Sequence, residues 1–161
     1  MKKIILSIMI VGTLFITGCG KKEEVKKTEE TEKNTVAVSL SKEFKKEIKE
    51  SKDIEAVANK ISQSKVIVPK TQVFTIGEED YLQGFKEEIK GFKKAVGIAP
   101  MINTIPMIAY IFEVENPEEF AKKLKENAQL NWNICTQADE MKITIEGNYI
   151  FFIMSPESFE E

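Results

Sequence analysis

Two stretches of this chain have no polar face to offer water. Ile105-Pro106-Met107-Ile108-Ala109-Tyr110-Ile111-Phe112 and Tyr149-Ile150-Phe151-Phe152-Ile153-Met154 are apolar almost without interruption. A half-exposed strand alternates apolar with polar residues, so a strand apolar at every position has both faces covered. The run from Thr104 to Val114 therefore reads as a strand covered on both sides, and Tyr149–Met154 as a central strand. Between them Met141-Lys142-Ile143-Thr144-Ile145-Glu146 alternates, as a half-exposed strand should. Gly147-Asn148 joins it to the last strand as a two-residue turn. Val66–Val68 and Gln72–Phe74 read as an edge strand interrupted by Pro69.

Three stretches carry helical spacing. From Ser39 to about Gln63, Leu40, Phe44 and Ile48 fall on one face, and Ile54, Val57, Ala58 and Ile61 resume it after Ser51-Lys52-Asp53, which predicts two short helices. From Glu78 to Val96, acids open the segment, lysines close it, and Tyr81, Phe85, Ile89, Phe92 and Val96 form a stripe, which predicts another helix. Gly84 and Gly91 weaken that one. Asn116-Pro117-Glu118-Glu119 opens a third, with Asn at the cap and Pro at the first turn, and Phe120, Leu124 and Ala128 on its core face. Ser155-Pro156-Glu157 predicts a last short helix. The expected class is α+β: a small, mostly antiparallel sheet with strands near 105–114, 141–147 and 149–155, and helices packed on one face.

The first residues carry an address. Met1-Lys2-Lys3 is a short cationic start, and Ile4–Ile16 is apolar apart from Ser7, Gly12 and Thr13. At roughly 13 residues the run is too short to span a bilayer, which takes about 20, and fits the core of a signal peptide. Ile16-Thr17-Gly18-Cys19 then matches a bacterial lipobox. The small residues let a peptidase reach the bond between Gly18 and Cys19, and the thiol of Cys19 takes a diacylglyceryl group, with palmitate-like acyl chains. Residues 1–18 are thus expected to be removed. Residues 19–38 form a lipidated cysteine and a charged tether, too poor in apolar residues to fold, with a reach of roughly 25 Å. Residues 39–161 form one globular domain on the outer face of the bacterial cytoplasmic membrane, with the covalent lipid as the sole expected attachment and no separate cofactor.

Composition narrows the chemistry. The chain has 23 basic residues, all lysine, against 26 acids, and no histidine. Loss of Lys2 and Lys3 would take the formal net charge from −3 to −5. An acidic chain without arginine has neither the basic footprint for nucleic acid nor a bidentate clamp for phosphate. Without histidine there is no Ser-His-Asp or Cys-His pair. Once Cys19 is lipidated, Cys135 has no disulfide partner, so the domain must hold together through its core; about 120 residues suffice for that.

The stretch from about Pro100 to Ser155 resembles a family of bacterial lipoproteins, mostly Gram-positive, that carry a domain of unknown function. The resemblance rests on Met101-Ile102-Asn103 ahead of a buried strand, on the strand Met107–Val114, on the capped helix from Asn116, and on the ending Gly147–Ser155. It implies an extracytoplasmic, lipid-anchored domain and carries no catalytic residue with it.

Few residues invite chemistry. Cys135 lies near Asp139 and Glu140, which would raise a thiol's pKa, and reads as idle. Asn131-Trp132-Asn133 holds the only tryptophan, flanked by amides; it is a candidate for a sugar ring or a protein partner, while packing onto the core is the plainer reading. Asp139, Glu140 and Glu146 can be imagined as paired carboxylates of a wall-cleaving enzyme or as calcium ligands, although they match no calcium motif and read more simply as surface acids. Met101, Met107, Met141 and Met154 read as core filler. The expected role is a binding module for an envelope protein or wall component, with a carboxylate-based cell-wall enzyme as the alternative. A two-lobed solute receptor needs a larger chain. The address is tested by Cys19→Ala: the variant should take up no labelled fatty acid and leave the membrane fraction, while the unsubstituted chain stays there.

Overall fold

The computed structural model describes residues 33–132 and 137–159. The expected signal segment, Gly18, Cys19, residues 19–32 of the expected tether, and Asn133 and Cys135 lie outside the described residues. The folded part is α+β: helices α1 (Val36–Glu50), α2 (Ile54–Ser62) and α3 (Pro117–Asn127) lie against a sheet of strands β1 (Thr71–Ile76), β2 (Phe92–Pro100), β3 (Ile108–Val114), β4 (Glu140–Glu146) and β5 (Tyr149–Ser155). The strand order is β1-β2-β3-β5-β4, and every neighbouring pair is antiparallel.

The two apolar runs became the interior strands β3 and β5, which pair from Ile108↔Met154 to Glu113↔Tyr149. Their side chains divide between two cores. Toward one face, Ala109, Ile111, Phe151 and Ile153 meet Leu40, Phe44 and Ile48 of α1 and Ile54, Val57 and Ile61 of α2. Phe44 stacks on Phe151 with ring centroids 5.3 Å apart. Toward the other face, Ile108, Tyr110, Phe112, Ile150, Phe152 and Met154 meet Leu82, Phe85 and Ile89 and, on α3, Phe120 and Leu124. Helices α1 and α2 share one face as expected, but α3 lies on the opposite one. A sheet apolar on both sides needs both sides covered.

The largest departure from the sequence reading is the stretch 78–96. It is not a helix. Gly84 and Gly91 sit at φ of +92° and +101°, a left-handed conformation that ends any helix passing through them. Residues 77–91 instead cross the second face as an irregular segment, and the remainder becomes β2. On β2 the alternation of Val96 and Ile98 with Ala95, Gly97 and Ala99 decided the outcome, because β2 is flanked by strands on both sides. Tyr81, expected in a buried stripe, is 71% exposed. The Phe74 ring lies over its cross-strand partner Gly97, where a Cβ would come within 2.3 Å of it.

Smaller corrections follow the same lines. The first helix opens at Val36, not Ser39, and Ala37 is fully buried, so the folded part starts within the expected tether. Asp53 caps α2 as its position suggested. Asn116 precedes α3 without a side-chain capping bond. No helix forms at Ser155-Pro156-Glu157. Met107, Met141 and Met154 pack in or against the core, whereas Met101 is 63% exposed.

The start of α1 is tied to the end of the chain. A helix leaves its first backbone N–H groups without partners inside the helix. Here Val36 N donates to Glu157 O at 3.0 Å, Ala37 N to Glu140 Oε1 at 3.0 Å, and Val38 N to Thr35 Oγ1 at 3.3 Å. Thr35 Oγ1 in turn donates to Glu140 Oε2 at 2.9 Å. Replacing Glu140 by Ala strands the Ala37 amide and the Thr35 hydroxyl in a part-buried place, so Glu140→Ala should cost about 1–3 kcal/mol in denaturant unfolding, and Glu140→Gln less.

Candidate functional site

Each end of the sheet gathers a different set of loops. The end marked by Thr71, Pro100, Ile108, Glu140 and Ser155 is called here the near end, because Lys33 and Thr35 enter the fold beside Glu140 and Glu157 there. On the second face, at this end, the cover is incomplete. The segment 77–91 reaches the near end at Gly84 and turns back. It is pinned there by Lys86 N donating to Asn127 O and Gln129 N to Gly84 O, both at 2.8 Å, around a bridge between Phe85 and Ala128. Tyr110, buried under it, donates from its hydroxyl to Gln83 O at 2.9 Å. That burial holds the phenol's pKa well above its usual range.

Between this turn, the end of β2 and the loop 101–107 lies a cleft of about 420 Å³. The volume falls within the range of roughly 300–1,000 Å³ typical of small-molecule sites. Its walls are Tyr81, Phe85, Trp132, Pro100 and several aliphatic side chains, with the amides of Gln83, Asn103 and Gln129 among them. No lining residue is charged, in a chain where 30% of residues are. An adjoining hollow of about 350 Å³ shares Tyr81, Gln83 and Asn103 and continues toward Phe74. Tyr81 stands at the boundary of the two, its hydroxyl 3.4 Å from Phe85 O. A wider depression of about 700 Å³ beside α3 is lined by lysines and glutamates, including the ion pair Lys93–Glu115 at 3.3 Å. Interleaved charges of both signs in open water make ordinary solvated surface.

Trp132, singled out in the sequence, lines the uncharged cleft while packing half-buried against the core. Asn131 is exposed and is not part of the lining, and Asn133 is outside the described residues. Tyr81, Gln83, Asn103 and Gln129 were not anticipated. They come from three separate loops, and none carries a motif. The one local hint was Met101-Ile102-Asn103, a polar amide inside an uncharged loop.

The carboxylates are placed elsewhere and occupied. Glu140 holds the start of α1, and Asp139 Oδ2 accepts from Glu157 N at 3.2 Å. Glu146 pairs with Lys49 at 3.4 Å at the far end of β4. Glu140 and Glu146 are therefore separated by a strand length, about 20 Å at 3.3 Å per residue, far beyond the spacing of a glycosidase pair. Among the described residues no three acids, cysteines or histidines converge as a metal shell requires.

Gln83 and the wall it belongs to depend on the phenol beneath. Tyr110→Phe should lower stability by about 1 kcal/mol. Amide hydrogen exchange should speed up over residues 81–86 more than in β3 itself.

Comparison with family models, with curated proteins and with solved structures gives no match, so the reading of this cleft rests on its own geometry.

Proposed function

We propose that this chain is a lipid-anchored module on the outer face of a bacterial cytoplasmic membrane, and that the near-end cleft holds an uncharged, sugar-containing component of the envelope. The observation that carries the ligand reading is the lining: aromatic faces and amides with no charge. A sugar ring presents C–H groups to an aromatic face and hydroxyls to amides, and an uncharged wall avoids stranding a charge against it. The same lining offers no acid or base to move a proton, which favours holding a ligand over converting it. The signal segment and lipobox support the location, and kinship of Pro100–Ser155 with bacterial lipoproteins is proposed on the residues quoted above. A protein of the envelope presenting such a sugar is the corresponding partner.

Trp132 is the only tryptophan and lines the cleft, so its emission reports occupancy directly. Titration of the purified lipoprotein in detergent with uncharged N-acetylglucosamine oligomers should shift that emission saturably. Tyr81→Ala should weaken the apparent affinity by up to about tenfold, the scale of one lost aromatic contact. Flat emission with every neutral oligosaccharide, or equal affinity in the variant, would sink the ligand assignment.

A further inference from the structure

The near end carries Asp139, Glu140 and Glu157 beside β4, but the connections beside β1 and β2 at that end differ from them in charge and in apolarity. At the near end, the connections Gln63–Lys70 and Met101–Met107 contain no acid in a chain with 26 of them. They carry exposed Lys65 and Lys70 and three exposed apolar side chains: Val68 at 60%, Met101 at 63% and Ile102 at 61%. Val68 and Met101 line one shallow hollow, and Met101 N donates to Lys70 O at 2.9 Å, so the tips form a single rim. Ile102 continues that rim to the mouth of the cleft. At the far end Glu79, Glu115 and Glu146 stand in ion pairs with Lys90, Lys93 and Lys49, so charge there is mixed.

We propose that this rim docks on the membrane surface, so that the anchored domain stands on its near end with the cleft mouth facing the lipid headgroups. The proposal rests on the lipid-anchor reading above. Three observations converge on it. The chain arriving from Cys19 enters the fold at Lys33, at the same end of the sheet as the rim. The distance from Cys19 to Lys33 is at most about 50 Å even fully extended, which keeps the rim within reach of the bilayer. The rim pairs apolar tips with lysines, the combination that seats in an interface of anionic lipid, while the far end offers paired charges of both signs. Each lysine near such a surface adds a modest attraction. That is a weak force for a free protein, and enough to orient one already held there by acyl chains. The cleft would then take ligands at headgroup height, which selects envelope sugars that are themselves carried on lipid.

The test moves the sole tryptophan. Two full-length, lipid-modified proteins carry Trp132→Phe together with either Ile102→Trp or Glu78→Trp, both at exposed positions. They are placed in vesicles of equal parts phosphatidylglycerol and phosphatidylcholine, with and without brominated acyl chains. Seating to roughly 5–10 Å would bring the residue at 102 against the quencher, so its emission should fall about twofold. The emission from position 78 should not change. Quenching at neither position, or equally at both, overturns the docked orientation. In the unsubstituted protein, Lys65 and Lys70 should acylate more slowly in vesicles than in detergent, with Lys93 unaffected; equal protection of all three also overturns it. The mass of the Cys19 peptide separates the two layers of the argument. An unmodified cysteine overturns the anchor itself, and a modified one without quenching overturns only the orientation.

Discussion

Strands β3 and β5 are apolar toward both faces of the sheet, and the rest of the molecule is arranged around covering them. Burial of Tyr110, Phe112, Phe151 and Phe152 alone removes four large aromatic rings from water, each worth roughly 1.5–3 kcal/mol. One face receives two regular helices, α1 and α2. The other receives α3 and the irregular segment 77–91, which together cover most of it. Phe85 reaches Phe152 and Tyr110 at 4.8 and 5.9 Å between centroids, and Phe120 reaches Phe112 at 5.1 Å. Where that composite cover turns back at Gly84, the sheet end is left open, and the cleft is the space that results.

The architecture was legible wherever burial is two-sided or the period is clean. Strands β3 and β5, the Gly147-Asn148 hairpin and the pair α1–α2 follow from local pattern alone. The stretch 78–96 was misread because its helical spacing is real: Phe85, Ile89 and Phe92 are buried, as the stripe required. What the spacing could not convey was the backbone. Two left-handed glycines and a neighbouring strand waiting to pair outweighed a period of 3.6, and tertiary context commonly overrides propensity in this way. The side of the sheet taken by α3 was equally out of reach, since its core stripe fits either face.

The candidate site was legible in one residue of several. Trp132 drew attention by being alone, and it does line the cleft. Gln83, Asn103 and Gln129 lie far apart along the chain, and an amide in a loop carries no period and no spacing to mark it. Only the folded chain brings them within one wall. The surface acids illustrate the converse. Asp139 and Glu140 drew attention by proximity in sequence, yet Asp139 lies just before β4 and Glu140 opens it, and each is engaged by a different backbone amide.

The clasp at the start of α1 bears on the order in which the molecule can assemble. Thr35 and Ala37 find their partner on Glu140, at sequence separations of 105 and 103, and Val36 waits for the carbonyl of Glu157. A chain delivered from its N-terminus presents α1 long before β4 and the closing tail exist. Contacts of such range form late and slow a fold down. The first helix therefore cannot lock until the end of the chain has been made, and its amino end stays loose until then. Completion of the last strand is the event that fastens the start of α1 to the rest of the domain.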